Sequence, residues 1–164
     1  GHRRRPRGRR ARLGVGVNLA DWADLAASEQ GLVVVSTVRA DGTVQASLVN
    51  AGVLAHPFDD AGGEVAAFVT YGPAKLANLR ARPQLALTVR SGWRWATLEG
   101  TAEIVGPDDP HPDVDAERLR LLLRGVFTAA GGTHDDWDAY DATMAADRRA
   151  AVLVTPTRIY TNPG

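Results

Sequence analysis

Lys75 is the only lysine in a chain that carries eighteen arginines. It stands in "TYGPAKLANLRARPQLALTV", residues 70–89. Gly72-Pro73 reads as a helix start, because proline suits the first turn, and Pro83 stops the helix ten residues later. Lys75 then falls in that first turn, where unpaired backbone N–H groups and the helix dipole already present positive charge. A cation does nothing for the helix there. An anion such as phosphate is what this end attracts, and a nearby ammonium adds to the pull. Asn78 and Arg82 can share the face of Lys75, while Leu76, Leu79 and Arg80 point elsewhere. A solvated surface lysine is the competing reading of the same residue.

Trp93 and Trp95, two apart in "GWRW", read as one strand face: core, subunit interface or ligand wall. Arg94 between them faces solvent, and Trp22 and Trp137, on expected helices, read as core. His2, His56, His111 and His134 are scattered over loops without metal-ligand spacing, so no metal site is expected. No GxSxG elbow and no ordered Ser, His and acid set occur. "GVGVN" (14–18) lacks the preceding strand and third glycine of a dinucleotide fingerprint. The acids of "HDDWDAYD" (134–141) are those of a charged outer helix face and helix start. A chain with no evident nucleophile suits chemistry done by a bound cofactor.

The elements that must position Lys75 follow from pattern. "NLADWADLAASEQ" is an amphipathic helix capped by Asn18 or Asp21, with Leu19, Trp22, Leu25 and Ala26 on its apolar face and Gly31 at its end. "LVVVSTV" and "TVQASLVNAGVL" flank Asp41-Gly42, a hairpin signal. "VAAFVTY" is a strand, followed by the Lys75 helix, the strand "QLALTV", the turn "RSG" and the long strand "WRWATLEGTAEIV". "AERLRLLLRGVFTAA" is a helix with Leu119, Leu122, Leu123 and Val126 buried. A second, acidic helix begins at a capping-box-like Thr133. The last strand, "AAVLVTPTRIYT", is broken by Pro156, which implies an edge or a bulge. Hairpin-linked strands with few helices favour an antiparallel barrel with peripheral helices.

The 164 residues suit one domain, 18–164, behind a basic arm at 1–17. Cysteine is absent, which removes disulfides, thiolate catalysis and cysteine-ligated metal. No run of eighteen apolar residues occurs, and no apolar signal core follows the N-terminal arginines, so the expected location is cytoplasmic and away from membranes. Seven arginines fall in residues 1–12; the remaining twelve basic and nineteen acidic side chains leave 13–164 at −7. Such a body repels nucleic acid, and the arm has no interleaved aromatics to stack on bases. Gly1-His2 reads as an expression scar and the arm as solvated, against a sharper reading as a partner-binding arm.

Four segments together resemble one family. "STVRADGTVQASLV" (36–49), "AKLANLRARP" (74–83), "GWRWATLEGTAEI" (92–104) and "HDDWDAYDATMAADRRAAVLVTPTRIY" (134–160) are similar to the split β-barrel flavin and deazaflavin oxidoreductases related to pyridoxamine 5′-phosphate oxidase. Within these the chain looks most like the actinobacterial branch that uses coenzyme F420, and its alanine-, arginine-, aspartate- and glycine-rich composition has an actinobacterial look. The resemblance implies a mainly β, FMN-binding-protein-like split barrel that works as a homodimer, with the cofactor in a groove between subunits. It implies that Lys75, with Asn78 close by, contacts the phosphate side of the cofactor. Thr70, Tyr71, Gly72, Pro73 and Ala74 would border the groove, as would Ser47, Val49 and Asn50, with Trp93 and Trp95 lining the pocket. The family often carries a basic residue where this chain has Pro73. F420 is the cofactor implied, FMN the alternative, and reduction of a small unsaturated acceptor the activity; a non-catalytic F420 carrier is a further alternative. A pocket hydroxyl such as that of Tyr71 would complete the reduction with a proton.

Overall fold

The computed structural model describes residues 16–162; the arginine-rich stretch 1–12 lies outside the described residues. Helix α1 (Leu19–Ser28) starts at Asn18, whose side chain accepts from the Asp21 N–H, while the Asp21 carboxylate accepts from the Asn18 N–H. The two expected caps are thus the two halves of one capping box. Trp22, Leu25 and Ala26 are its buried face. Trp22 is fully buried, and its indole N–H donates to the Leu87 carbonyl at 3.1 Å, which satisfies the one polar atom this ring carries inside.

Six strands follow: β1 (Leu32–Val38), β2 (Val44–Ala55), β3 (Glu64–Thr70), β4 (Gln84–Ser91), β5 (Arg94–Val105) and β6 (Ala150–Tyr160). Every pairing is antiparallel, and the order β1-β2-β3-β6-β5-β4 closes into a barrel. Alternate residues point inward, so Val33, Val35, Val49, Ala66, Phe68, Leu87, Leu98 and Val152 fill the interior. Asp41 locks the first hairpin by accepting from the Thr43 N–H and hydroxyl. Pro156 sits at a bulge: Glu99 pairs with Arg158 and Gly100 with Pro156, leaving Thr157 as the extra residue.

The β2–β3 seam is short. β3 pairs with β2 only from Ala51 to Ala55, so the first half of β2, Val44–Asn50, pairs with β1 alone. Helix α2 (Pro73–Ala81) runs on from β3.

Outside the barrel, α3 (Ala116–Ala129) and α4 (Trp137–Ala146) cover the outward residues Val65, Ala67, Val105, Ala151 and Leu153. Gly52 lets them come close: a Cβ there would lie 2.1 Å from the Ala129 carbonyl oxygen. The start of α4 differs from expectation. Asp136, not Thr133, is its cap, accepting from the Ala139 N–H at 3.0 Å, because an acid at that spot serves the first turn directly and the helix begins at Trp137. Trp137 is half-buried rather than central, packed edge-on to Phe127 and Tyr140 beneath the Arg124 guanidinium.

Candidate functional site

Lys75 occupies the third position of α2, and the start of this helix is bare. Gly72, in extended conformation, is the N-cap and supplies no side-chain acceptor; Pro73 follows at the first helical position. The Ala74 and Lys75 N–H groups therefore lack the carboxylate or amide partner that α1, α3 and α4 each have. The Lys75 side chain is not solvated. The residue is 8% exposed, and among the described residues its Nζ reaches only the Thr70 hydroxyl oxygen, at 3.4 Å. Burial alone pushes its pKa below the ordinary lysine value, and no described carboxylate lies within ion-pair distance. Thr70, also buried, accepts from the Gly72 N–H at 3.2 Å, tying the strand end to the helix start.

Asn78, one turn further, is buried beside it and donates to the Thr37 hydroxyl (3.1 Å) and the Gln45 carbonyl oxygen (3.2 Å). Thr37 and Gln45 are cross-strand partners on the inward face of β1 and β2. Neither is among the residues expected from the sequence, although one signal is present: Thr37 interrupts the inward valines at 33 and 35 with a polar side chain. Arg82 is not part of this cluster. It caps α2 and donates its Nε–H to the Val38 carbonyl at 2.8 Å. Arg80 is held by Asp109 through two hydrogen bonds of 2.8 and 2.7 Å.

The other expected residues are distributed around this centre. Ser47 and Val49 share the inward face of β2 with Gln45, Val49 being buried. Asn50 has the opposite parity and donates its amide to the Gln30 carbonyl at 2.7 Å. Tyr71 is exposed, with the Arg149 guanidinium 4.2 Å above its ring. Gly72, Pro73 and Ala74 form the backbone turn into α2.

The tryptophans part company. Ser91 pairs with Arg94, so Gly92 and Trp93 form a two-residue hairpin turn, with Gly92 at a φ of 61°. Trp93 is 97% exposed at the tip instead of sharing a strand face with Trp95. The physical reason is the glycine: a left-handed residue is needed at the turn, and Gly92 supplies it with Trp93 as the second turn residue. Trp95 is half-buried on β5, edge-on to Tyr160 at 6.2 Å.

Chemically, the cluster offers a desolvated ammonium and two backbone donors that no side chain caps, while the Asn78 amide spends both N–H groups on Thr37 and Gln45. That donor set fits the phosphate-bearing arm of a cofactor, and no cluster of metal-ligating side chains occurs among the described residues. It fits FMN as well as F420, since both carry phosphate.

The sequence model described as pyridoxamine 5′-phosphate oxidase matches residues 23–162. Among solved structures, a conserved hypothetical protein of Mycobacterium tuberculosis is 20% identical, with a TM-score of 0.61 over 87% of this chain and 82% of that one. A pyridoxamine 5′-phosphate oxidase-related, FMN-binding protein of Nostoc punctiforme is 14% identical, with a TM-score of 0.54 over 86% of this chain and 80% of that one. An F420 reductase is 25% identical, with a TM-score of 0.49 over 79% of this chain and 89% of that one. The first two show a shared fold, and the family match covers nearly all the described chain.

Proposed function

The chain belongs to the pyridoxamine 5′-phosphate oxidase family over residues 23–162, and from that premise we propose that it is a coenzyme F420-dependent reductase acting on a small unsaturated organic molecule. The observation that supports a bound phosphate-bearing cofactor is Lys75: a buried ammonium with no carboxylate partner among the described residues, beside helix N–H groups that no side chain caps. An uncompensated buried cation is costly, and an anion bound there removes the cost. The four sequence segments set out above favour the deazaflavin branch, and the pyridoxal-phosphate-binding arginines of true oxidases are not evident.

When bound, the deazaflavin supplies the hydride. The chain's own residues do the rest. Lys75 and the Ala74 and Lys75 N–H groups hold the anionic arm. Asn78, fixed by Thr37 and Gln45, keeps α2 seated on the barrel. Alignment of the acceptor against the bound ring supplies much of the rate. Tyr71, exposed at the turn into α2, offers a hydroxyl for the proton.

A second copy of the chain completes the groove in this reading. The outward face of β1 and β2 presents Leu32, Val34 and Leu48, all exposed, with Val34 and Leu48 directly paired. Adjacent exposed apolar side chains on a flat strand face mark an interaction surface. Val34→Glu is expected to convert a dimer to a monomer in sedimentation; a wild type that sediments as a monomer removes this part of the reading.

The functional test is direct. Reduced F420 is incubated with the protein and a panel of enones, quinones and tetrapyrroles, and F420 oxidation is followed by its absorbance. Turnover of at least one acceptor is expected. An FMN-dependent oxidase is the alternative that the family description favours; FMN binding tightly while F420 does not would establish it. Tight F420 binding without turnover of any acceptor would point to the carrier.

A further inference from the structure

Only two non-glycine residues among those described have left-handed backbone, Gln30 (φ 59°) and Arg148 (φ 51°). Both end a helix in the same way. Gly31 N–H bonds to Ala26 O and Gln30 N–H to Ala27 O; likewise Arg149 N–H bonds to Met144 O and Arg148 N–H to Ala145 O. Glycine is the usual occupant of such a position, because an L side chain is strained there. Strain of this kind collects where a site needs it.

One cavity is lined by Gln30 and by Arg149, the residue that follows Arg148. It has a volume of about 390 Å³. Val69, Val126, Phe127 and Met144 give it apolar walls, and Leu32 and Asn50 extend it to the exposed strand face. Among the described residues Arg149 is the one ionised side chain in this lining, and no acid belongs to it. Its carboxylate partner, Asp147, holds the guanidinium from its Nε and Nη2 side at 3.2 and 3.1 Å. The same guanidinium stacks on Tyr71, which leads into the Lys75 helix, so one turn borders both places.

We propose that this cavity is the acceptor site, and that it takes a flat, largely apolar molecule carrying one carboxylate or equivalent anionic oxygen, held by Arg149. Aromatic and thioether walls suit a planar ring. Asp147 holds one edge of the guanidinium, which leaves Nη1 and a second Nη2 N–H to meet a carboxylate, and the lining brings no further acid to compete for them. Calling the occupant the acceptor rests on the function proposed above; the binding site itself does not.

The test uses 2-naphthoate as probe, with the full chain and no cofactor, by calorimetry. Wild type is expected to bind it saturably. Arg149→Met should weaken binding at least tenfold, Arg149→Lys should restore part of it, and neutral 2-naphthol should bind wild type and Arg149→Met alike. Absence of saturable naphthoate binding to wild type, or equal affinity in Arg149→Met, would overturn the proposal. F420 is titrated into the same proteins. Equal F420 affinity in wild type and Arg149→Met is expected, and a parallel loss in Arg149→Met would also overturn the proposal by assigning the residue to the cofactor. Failure of F420 to bind wild type would remove the functional reading while leaving the naphthoate result standing.

Discussion

Arg124 and Lys75 are both cations on helices, the first half-buried and the second buried, and their surroundings are opposite. Arg124 reaches across from α3 to α4, where its Nε lies 2.9 Å from Asp141; Arg120 meets the same carboxylate at 3.0 Å. The two guanidiniums hold the Asp141 carboxyl down to about 2. Arg80 and Arg148 are likewise matched, to Asp109 and Asp108. Lys75 has a hydroxyl at 3.4 Å and nothing charged among the described residues. The acids that meet Arg80, Arg120, Arg124 and Arg148 are built into the chain, and unlike Arg149 these four lie outside the 390 Å³ cavity. The partner of Lys75 has to arrive from outside, which makes the first group structural and the second a binding element. Lysine also suits the binding role, because a compact ammonium fits a narrow seam and its pKa responds to burial in a way a guanidinium's does not.

Charge reversal at the lysine breaks this contrast most severely. Lys75→Glu is expected to weaken F420 binding by roughly a hundredfold or more, since a buried like charge then faces the phosphate, with the circular dichroism spectrum unchanged. On the arginine side, Asp141→Ala leaves two guanidiniums without their shared carboxylate, and a lower thermal midpoint with unchanged F420 affinity is expected. The pH dependence has a definite sign. The Asp141 carboxyl lies at about 2 in the fold against an ordinary 3.8, so its contribution is present above about 3.8 and disappears as pH falls toward about 2. The difference in stability between wild type and Asp141→Ala should shrink across that window.

For Lys75 the shift opposes folding of the charged form. Burial lowers its pKa below the ordinary 10.5, so the free protein gains stability as pH rises from the lowered value toward 10.5. Cofactor affinity should fall over the same alkaline range, as the ammonium is lost; Lys75→Arg, if it binds, should show no such fall. The smallest effect expected is on the free protein. Lys75→Met removes an unpaired buried charge and should raise unfolding stability by about 1 kcal/mol in urea denaturation, the usual trade between stability and a binding site.

Much of the fold is written in local pattern. The strands "LVVVSTV" and "QLALTV", the Asp41-Gly42 turn, the Asn18 cap and the break at Pro156 all have short-range causes, and each appears in its expected place. The departures are small shifts where two local signals compete. Gly92 takes the turn and moves Trp93 out of the strand; Asp136 takes the cap from Thr133. At the site, the position of Lys75 in the first turn is legible because Gly72 and Pro73 mark it. Its burial is not, because that depends on Thr70 and on the short β2–β3 seam. Thr37 and Gln45 are hidden for the same reason: their meeting with Asn78 joins residues 41 and 33 positions apart. Cross-barrel contacts of that kind leave no periodic trace in the chain.

The decisive measurement is a side-by-side titration of F420 and FMN against wild type and Lys75→Ala. Preference for F420 is expected, with a loss of at least about tenfold in its affinity on removal of the ammonium, the size of a charge-assisted phosphate contact. Equal F420 affinity in the two proteins would contradict the assignment of Lys75 as the phosphate-binding cation.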